Sequence, residues 1–146
     1  MTAKEYLGRL RSLEMRVSAN AKEIESLNEL ATHITSAINS DGIHVTGSTS
    51  DKLGNCVTRI IDLQRTIDSD IIVLEGLRGE IISQIDNVRN DKHRELLRMR
   101  YVSGMTFEEI AVEMDMSWRH IIRLHGYALK EFAEKNSEIF KKGQNL

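Results

Sequence analysis

The sequence predicts an all-α protein: a long antiparallel helical hairpin, coiled-coil-like, followed by a small domain of short helices. Three observations carry that prediction. Not one of the 146 residues is proline, so nothing forbids long unbroken helices. Apolar residues recur at alternating three- and four-residue steps through two long stretches, the spacing of a helix packed lengthwise on another. The last third instead carries closely spaced capping signals, which cut it into short helices.

The first helix is expected over residues 3–39. Tyr6, Leu10, Leu13, Val17, Ile24, Leu27, Ala31, Ile34 and Ile38 form its seam, interrupted by Asn20. Glu14, Arg16, Lys22, Glu23, Glu25 and Glu29 occupy the outer faces. Such a stripe needs a covering partner. The loop expected over 40–50 holds Gly42 and Gly47 among Ser, Thr and Asp residues, which punctuate helices. Within it, Ile43–Val45 suits a brief extended run, and Ser50 or Asp51 can cap the helix beyond it.

A second helix is expected over 51–89. Leu53, Val57, Ile60, Ile67, Ile71, Leu74, Ile81, Ile85 and Val88 keep the seven-residue pattern. Ile61, Leu63, Ile72, Leu77 and Ile82 widen its stripe beyond a two-stranded seam, so burial against more than one neighbour is expected. Two hairpins pairing into a four-helix core would supply it. Asn20, Gln64 and Arg78 sit at seam positions. They either reach water at an edge or fix register, and the sequence leaves both open. Residues 1–89 are thus expected to be a hairpin that assembles the chain into a homodimer or higher homo-oligomer.

Residues 90–146 form the second expected domain. Asn90 or Asp91 can cap a helix reading DKHRELLRMRYV, packed through Leu96, Leu97, Met99, Tyr101 and Val102 and closed by Gly104. Thr106 can cap the next helix, and Glu109, three residues on, can reach back to the cap's own N–H. Met105 and Ile110 are spaced for a hydrophobic staple. Phe107, Ile110, Ala111 and Met114 line one face. Asp115 breaks the run, Met116 returns to the core, and Ser117 caps a last helix with Ile121, Leu124, Ala128 and Leu129 inside. A small residue at Ala111 and the short turn suit the steep crossing of a helix-turn-helix, a unit that lays one helix in the major groove of DNA.

The stretch MTFEEIAVEMDMSWRHIIRLHGYALKEF, with the preceding RELLRMRYVSG, resembles the promoter-reading fourth region of bacterial sigma-seventy factors. It follows that family's order: an LRxRY-like helix, a glycine turn, [TS]xxEIA, a turn, then a serine-capped recognition helix ending in AL. Asp115 departs from the pattern, standing where such motifs usually carry a left-handed glycine; aspartate tolerates that conformation better than most residues. The resemblance implies that Ser117, Trp118, Arg119, Ile122 and Arg123 face the groove. Arg119 and Arg123 suit bidentate contact with guanine, and Trp118 or Ile122 could press on a thymine methyl. His120 and Lys130 suit phosphates, as do Arg98 and Arg100 from the preceding helix.

The layout as a whole, with an opening MTAKEYL, a DKLGN turn and the sigma-like unit, resembles small phage and prophage proteins related to ArpU-type late transcription regulators. That resemblance implies a viral or integrated-element origin and a role in switching on late genes. Nothing in the chain resembles the promoter-melting module of a complete sigma factor. An activator or polymerase partner is therefore the expectation.

Composition tempers the DNA reading. The formal charge is −2, so affinity must come from local asymmetry. Residues 1–90 carry 10 basic and 13 acidic side chains, and the remainder 10 and 9. That mild bias fits a binder assisted by pairing or by a partner better than a tight autonomous one. A lone Cys56 excludes an intramolecular disulfide, and the scattered histidines lack metal-ligand spacing. His120 and His125 are five apart and do not share a helical face as zinc pairs do. No catalytic set, cofactor motif, signal peptide or membrane span is legible, so a non-enzymatic, cytoplasmic protein without metal or cofactor is expected.

The expected function is sequence-specific binding of double-stranded DNA to regulate phage or prophage transcription, with host RNA polymerase as a candidate second partner. Two alternatives stand beside it: a small terminase-like packaging protein, and a polymerase-binding adaptor without DNA affinity of its own.

Overall fold

The computed structural model describes residues 1–41 and 47–141. Among them the order is α1 (Ala3–Asp41), α2 (Gly47–Asp86), α3 (Asp91–Leu97), a π-helical turn (Arg98–Val102), α4 (Phe107–Glu113), α5 (Trp118–Lys135) and α6 (Ser137–Lys141). No strand occurs among the described residues. The fold is all-α, with two long helices followed by a helix-turn-helix unit.

Both long helices run further into the expected loop than its glycines suggest, to Asp41 and from Gly47. Ser50 and Asp51 therefore lie inside α2 rather than capping it, and DKLGN is helical rather than a turn. Its one glycine, Gly54, has open space where a Cβ would stand and keeps a helical backbone without strain. The expected extension at Ile43–Val45 falls outside the described residues. At the other end α2 stops at Asp86, three residues short of expectation. The Val88 N–H folds back to the Ile85 carbonyl at 3.0 Å, and the Val88 carbonyl accepts from the Arg94 guanidinium at 2.8 Å.

The described chain packs as two units, Glu14–Val73 and Met1–Leu13 with Leu74–Leu146. In the first, α1 and α2 run antiparallel. Arg16 grips Asp70 with two hydrogen bonds, Nε to Oδ2 at 2.8 Å and Nη2 to Oδ1, and Arg59 reaches Glu23 at 3.0 Å. Cys56, Leu63 and Asp70 are buried there, while Val17, Ile24, Leu27, Ala31 and Ile34 are only half-covered. Of the seam polars, Gln64 is exposed and Asn20 half-buried. The buried polar group is Asp70, whose carboxyl is held below its usual range, first by the hydrogen bonds from Arg16 and then by its charge.

Packing does not divide the chain at residue 89. In the second unit the beginning of α1 and the last turns of α2 share one core with the C-terminal helices: Tyr6, Leu7, Leu10, Leu77, Ile81, Ile85 and Val88 meet Leu97, Tyr101, Ala128 and Phe132. The reason is the apolar face of α5 beyond Ala128, which needs a cover that the short helices cannot provide. Tyr6, Phe132 and Phe140 close that cover with ring centroids 5.9–6.4 Å apart, within the range of favourable edge and offset contacts. Burying Phe132 completely stabilises the unit by about 2–3 kcal/mol.

Candidate nucleic-acid interface

The caps expected from sequence set the helix-turn-helix. Asn90 opens α3, its Oδ1 accepting from the His93 N–H at 3.1 Å. Thr106 opens α4, accepting from the Glu109 N–H at 3.2 Å. The Glu109 carboxylate accepts a hydrogen bond from the Thr106 hydroxyl at 3.2 Å, where a capping box would have it reach the backbone N–H. Ser117 opens α5 and accepts from the His120 N–H at 3.2 Å. Each cap satisfies one of the N–H groups that a helix start leaves without a partner.

Between α4 and α5 the chain turns at Asp115, which adopts φ 52. This is the left-handed position that glycine usually fills, and a short carboxylate side chain accepts it at modest cost. The turn returns Met116 to a second core of Leu96, Ile110, Ala111 and Ile121, against which Met99, Met105, Phe107, Met114 and Leu124 also pack. Ala111 is the small residue at the helix crossing, and Met105 with Ile110 forms the staple.

Chain direction before the turn is set by the π-helical segment. The Ser103 N–H bonds the Arg98 carbonyl, five residues back, at 3.0 Å, and Gly104 follows at φ 70. This wider turn buries Tyr101, whose hydroxyl lies 2.7 Å from His125 Nε2. Burial pushes the phenol up to about 12. Burial first, and then the charges of Arg100 and Lys4, lowers His125 to about 4. With the ring neutral, Tyr101 donates and Nε2 accepts. Phe107 meets the same ring edge-on at 4.9 Å. His125 is thus a core residue, and the packing contacts of Tyr101 and Phe107 show its role where spacing did not.

With Ile121, His125, Ala128 and Phe132 turned inward, α5 shows one outward stripe. Arg119, Arg123, Gly126 and Lys130 fall within about 40° of a common line by the 100° step of a helix, and all are exposed. Trp118 is 51 % exposed and Ile122 37 %, flanking the stripe near its start. Ser117 and His120 are exposed at the same end. Tyr127, 58 % exposed, stands four residues beyond Arg123 and is a further outward residue that the same four-residue step finds. The structure therefore brings together Ser117, Trp118, Arg119, His120, Ile122, Arg123 and Lys130 on one helix.

Arg98, which is exposed, and Arg100, which is half-buried, both make contacts within the fold. Arg98 reaches the Asp86 carboxylate at 3.1 Å. Arg100 donates to the Met105 carbonyl at 3.0 Å and stacks over the Phe107 ring at 4.1 Å. Both guanidinium groups are engaged within the fold because the π-helical turn aims them at its own neighbours. Lys4 and Arg11, from α1, line a recess of about 350 Å³ with Arg100, Tyr101, Gly104 and Thr106.

A latch holds α5 to the start of α3. Glu131 accepts the Arg89 N–H at 2.9 Å with one oxygen and lies 2.8 Å from His93 Nδ1 with the other. Partial burial would raise its carboxyl, but these hydrogen bonds outweigh that and hold it below its usual range. The unit as built is a π-helical entry, a left-handed turn and a serine-capped second helix. Residues 90–132 match the protein family Sigma-70, region 4. They form a helix-turn-helix like that family's, which is a DNA-binding domain. No curated protein and no solved structure matches the chain. Among the described residues no helix is long and apolar enough to cross a membrane.

Proposed function

We propose that the protein is a sequence-specific regulator of transcription that lays α5 of its sigma-region-4 unit in the major groove of double-stranded DNA. The observation that carries this reading is the exposed stripe of Arg119, Arg123 and Lys130 on the serine-capped helix of that unit. Arg119 and Arg123 reach guanine edges, Trp118 or Ile122 meets a thymine methyl group, and Ser117, His120 and Lys130 contact phosphates or groove edges. Arg98 and Arg100 act by holding the unit together.

The finer reading is a phage or prophage regulator acting in the host cytoplasm, which works as a homodimer or higher homo-oligomer and touches host RNA polymerase. It is supported by the likeness of the chain's layout to ArpU-type proteins and by the near-neutral charge. A unit with so little excess positive charge gains affinity from a second unit or from polymerase. The hairpin supplies the assembly in this reading, and the helix-turn-helix supplies recognition.

The test starts with selection of bound sequences from a random duplex library, followed by fluorescence anisotropy on the enriched site. Binding should fall steeply with salt. Arg119→Ala and Arg123→Ala should each lose about 1–3 kcal/mol of discrimination at one base pair. Wild-type binding by the double variant would reject α5 as the recognition helix. Tight binding of host polymerase with no enriched duplex would select the adaptor instead.

A further inference from the structure

The hairpin unit carries a second face that its own helices leave uncovered. On α2, Cys56, Leu63 and Asp70 point inward. Nearly opposite them, at steps of four, three and four, stand Ile61, Arg65, Asp68 and Ile72. Such steps place all four along one side of a helix. Ile72 is 72 % exposed and Ile61 43 %, and Val57, 46 % exposed, prolongs the apolar line by a turn. Arg65 and Asp68 are exposed between the two isoleucines. Neither has an ion pair or side-chain hydrogen bond among the described residues, although both lie within a turn of an opposite charge.

The order of these side chains reads the same in both directions. Isoleucine, cation, anion, isoleucine is symmetric about the point between Thr66 and Ile67, with charge reversed across it. Two such helices packed antiparallel about a two-fold axis at that point bring Ile61 opposite Ile72 of the second copy. Arg65 then meets Asp68 of the second copy, and the symmetry repeats each contact. A two-fold contact uses the same patch twice and must be its own complement; this one is, in residue order and in charge. A basic or an acidic partner of another kind would satisfy only one of the two charges. From this self-complementarity we infer that the Ile61–Ile72 face of α2 is the antiparallel dimer contact of this protein, its occupant a second copy of the same face.

The inference deepens the assembly part of the proposed function and is independent of DNA recognition. Its test is sedimentation equilibrium of the full chain without DNA, so a failure here leaves the recognition helix untouched. Wild type should associate to a dimer. Arg65→Asp and Asp68→Arg each place like charges opposite one another twice per dimer, and each should weaken association by about tenfold. The double reversal R65D/D68R restores opposite charges and should return association to near wild type. Circular dichroism checks that helix content is unchanged.

Should a charge variant lose helicity, a disulfide measurement decides. In a Cys56→Ser background, oxidised I61C/I72C should give a covalent dimer. Within one chain the two positions are about 16 Å apart along the helix, too far to bridge. A monomeric wild type, unchanged association in the single reversals, a double reversal as weak as the singles, or an absent covalent dimer would each overturn the inference.

Discussion

The Tyr101 hydroxyl and His125 Nε2 meet at 2.7 Å inside the helix-turn-helix unit and join its entry turn to its last long helix. A neutral imidazole is required there. In the unfolded chain His125 takes a proton near pH 6.5, whereas the fold holds it neutral down to about 4. Stability from this site is complete above 6.5 and falls as the pH drops toward 4, because the unfolded state binds the proton first. The slope should be about 1.4 kcal/mol per pH unit, and the loss up to about 3 kcal/mol. Urea unfolding of wild type and His125→Gln across this window checks it: the variant should be less stable at neutral pH and should show a flatter slope.

Arg100 and Arg119 should separate cleanly in two assays. Arg100→Ala removes a cation over Phe107 and a donor to the Met105 carbonyl, so it should lower stability by about 1–2 kcal/mol. Arg119→Ala touches nothing inside the fold and should leave the melting temperature within about a degree. On the enriched duplex the order reverses, with Arg119→Ala the weaker binder well below either variant's melting temperature. Equal melting losses would contradict the placement of Arg100.

Asp115 offers a backbone test. At φ 52 a glycine avoids the crowding that a Cβ meets, so Asp115→Gly should be neutral or stabilising by up to about 1 kcal/mol. Asp115→Val places a β-branched residue in the same conformation and should destabilise by about 1–2 kcal/mol. Thermal unfolding by circular dichroism distinguishes the two directions.

Asn136 ties the end of α5 to the end of α2. Its Nδ2 donates to the Gln84 and Phe132 carbonyls at 3.1 and 3.0 Å, and its Oδ1 accepts from Asn87 at 2.9 Å. Asn136→Ala leaves those groups with no side-chain partner and should cost about 1–3 kcal/mol. Denaturant titration measures it, and amide exchange near residues 84–88 should accelerate.

What was legible in the sequence was local. Caps at Asn90, Thr106 and Ser117 act across three residues, and inward positions such as Ile110, Ala111 and Ile121 follow from periodicity within one helix. Tertiary placement was less accessible. Nothing local marks Asp70 for burial, since its partner Arg16 stands on the other long helix. His125 was one of several scattered histidines, because its reason for burial is Tyr101, on another helix. The contacts of Arg98 with Asp86 and of Arg100 with Met105 and Phe107 have no periodic signature, because they depend on a π-helical turn and on tertiary placement. Helix ends at Asp41, Gly47 and Asp86 differ from expectation by a few residues, since glycine marks where a helix can stop and not where it must.

Tyr6 lying against Phe132 and Phe140 bears on how this molecule can be dissected and how it is born. A fragment beginning at residue 90 would retain the sigma-like segment yet leave Phe132, Ala128 and Tyr101 facing water where Tyr6, Leu7, Leu10, Ile81 and Ile85 had been. Such an excised piece should aggregate or melt early. During synthesis, the first turns of α1 leave the ribosome long before their aromatic neighbours exist. Final closure therefore waits for Phe132 and Phe140, which makes it a long-range and slow event for an all-helical fold.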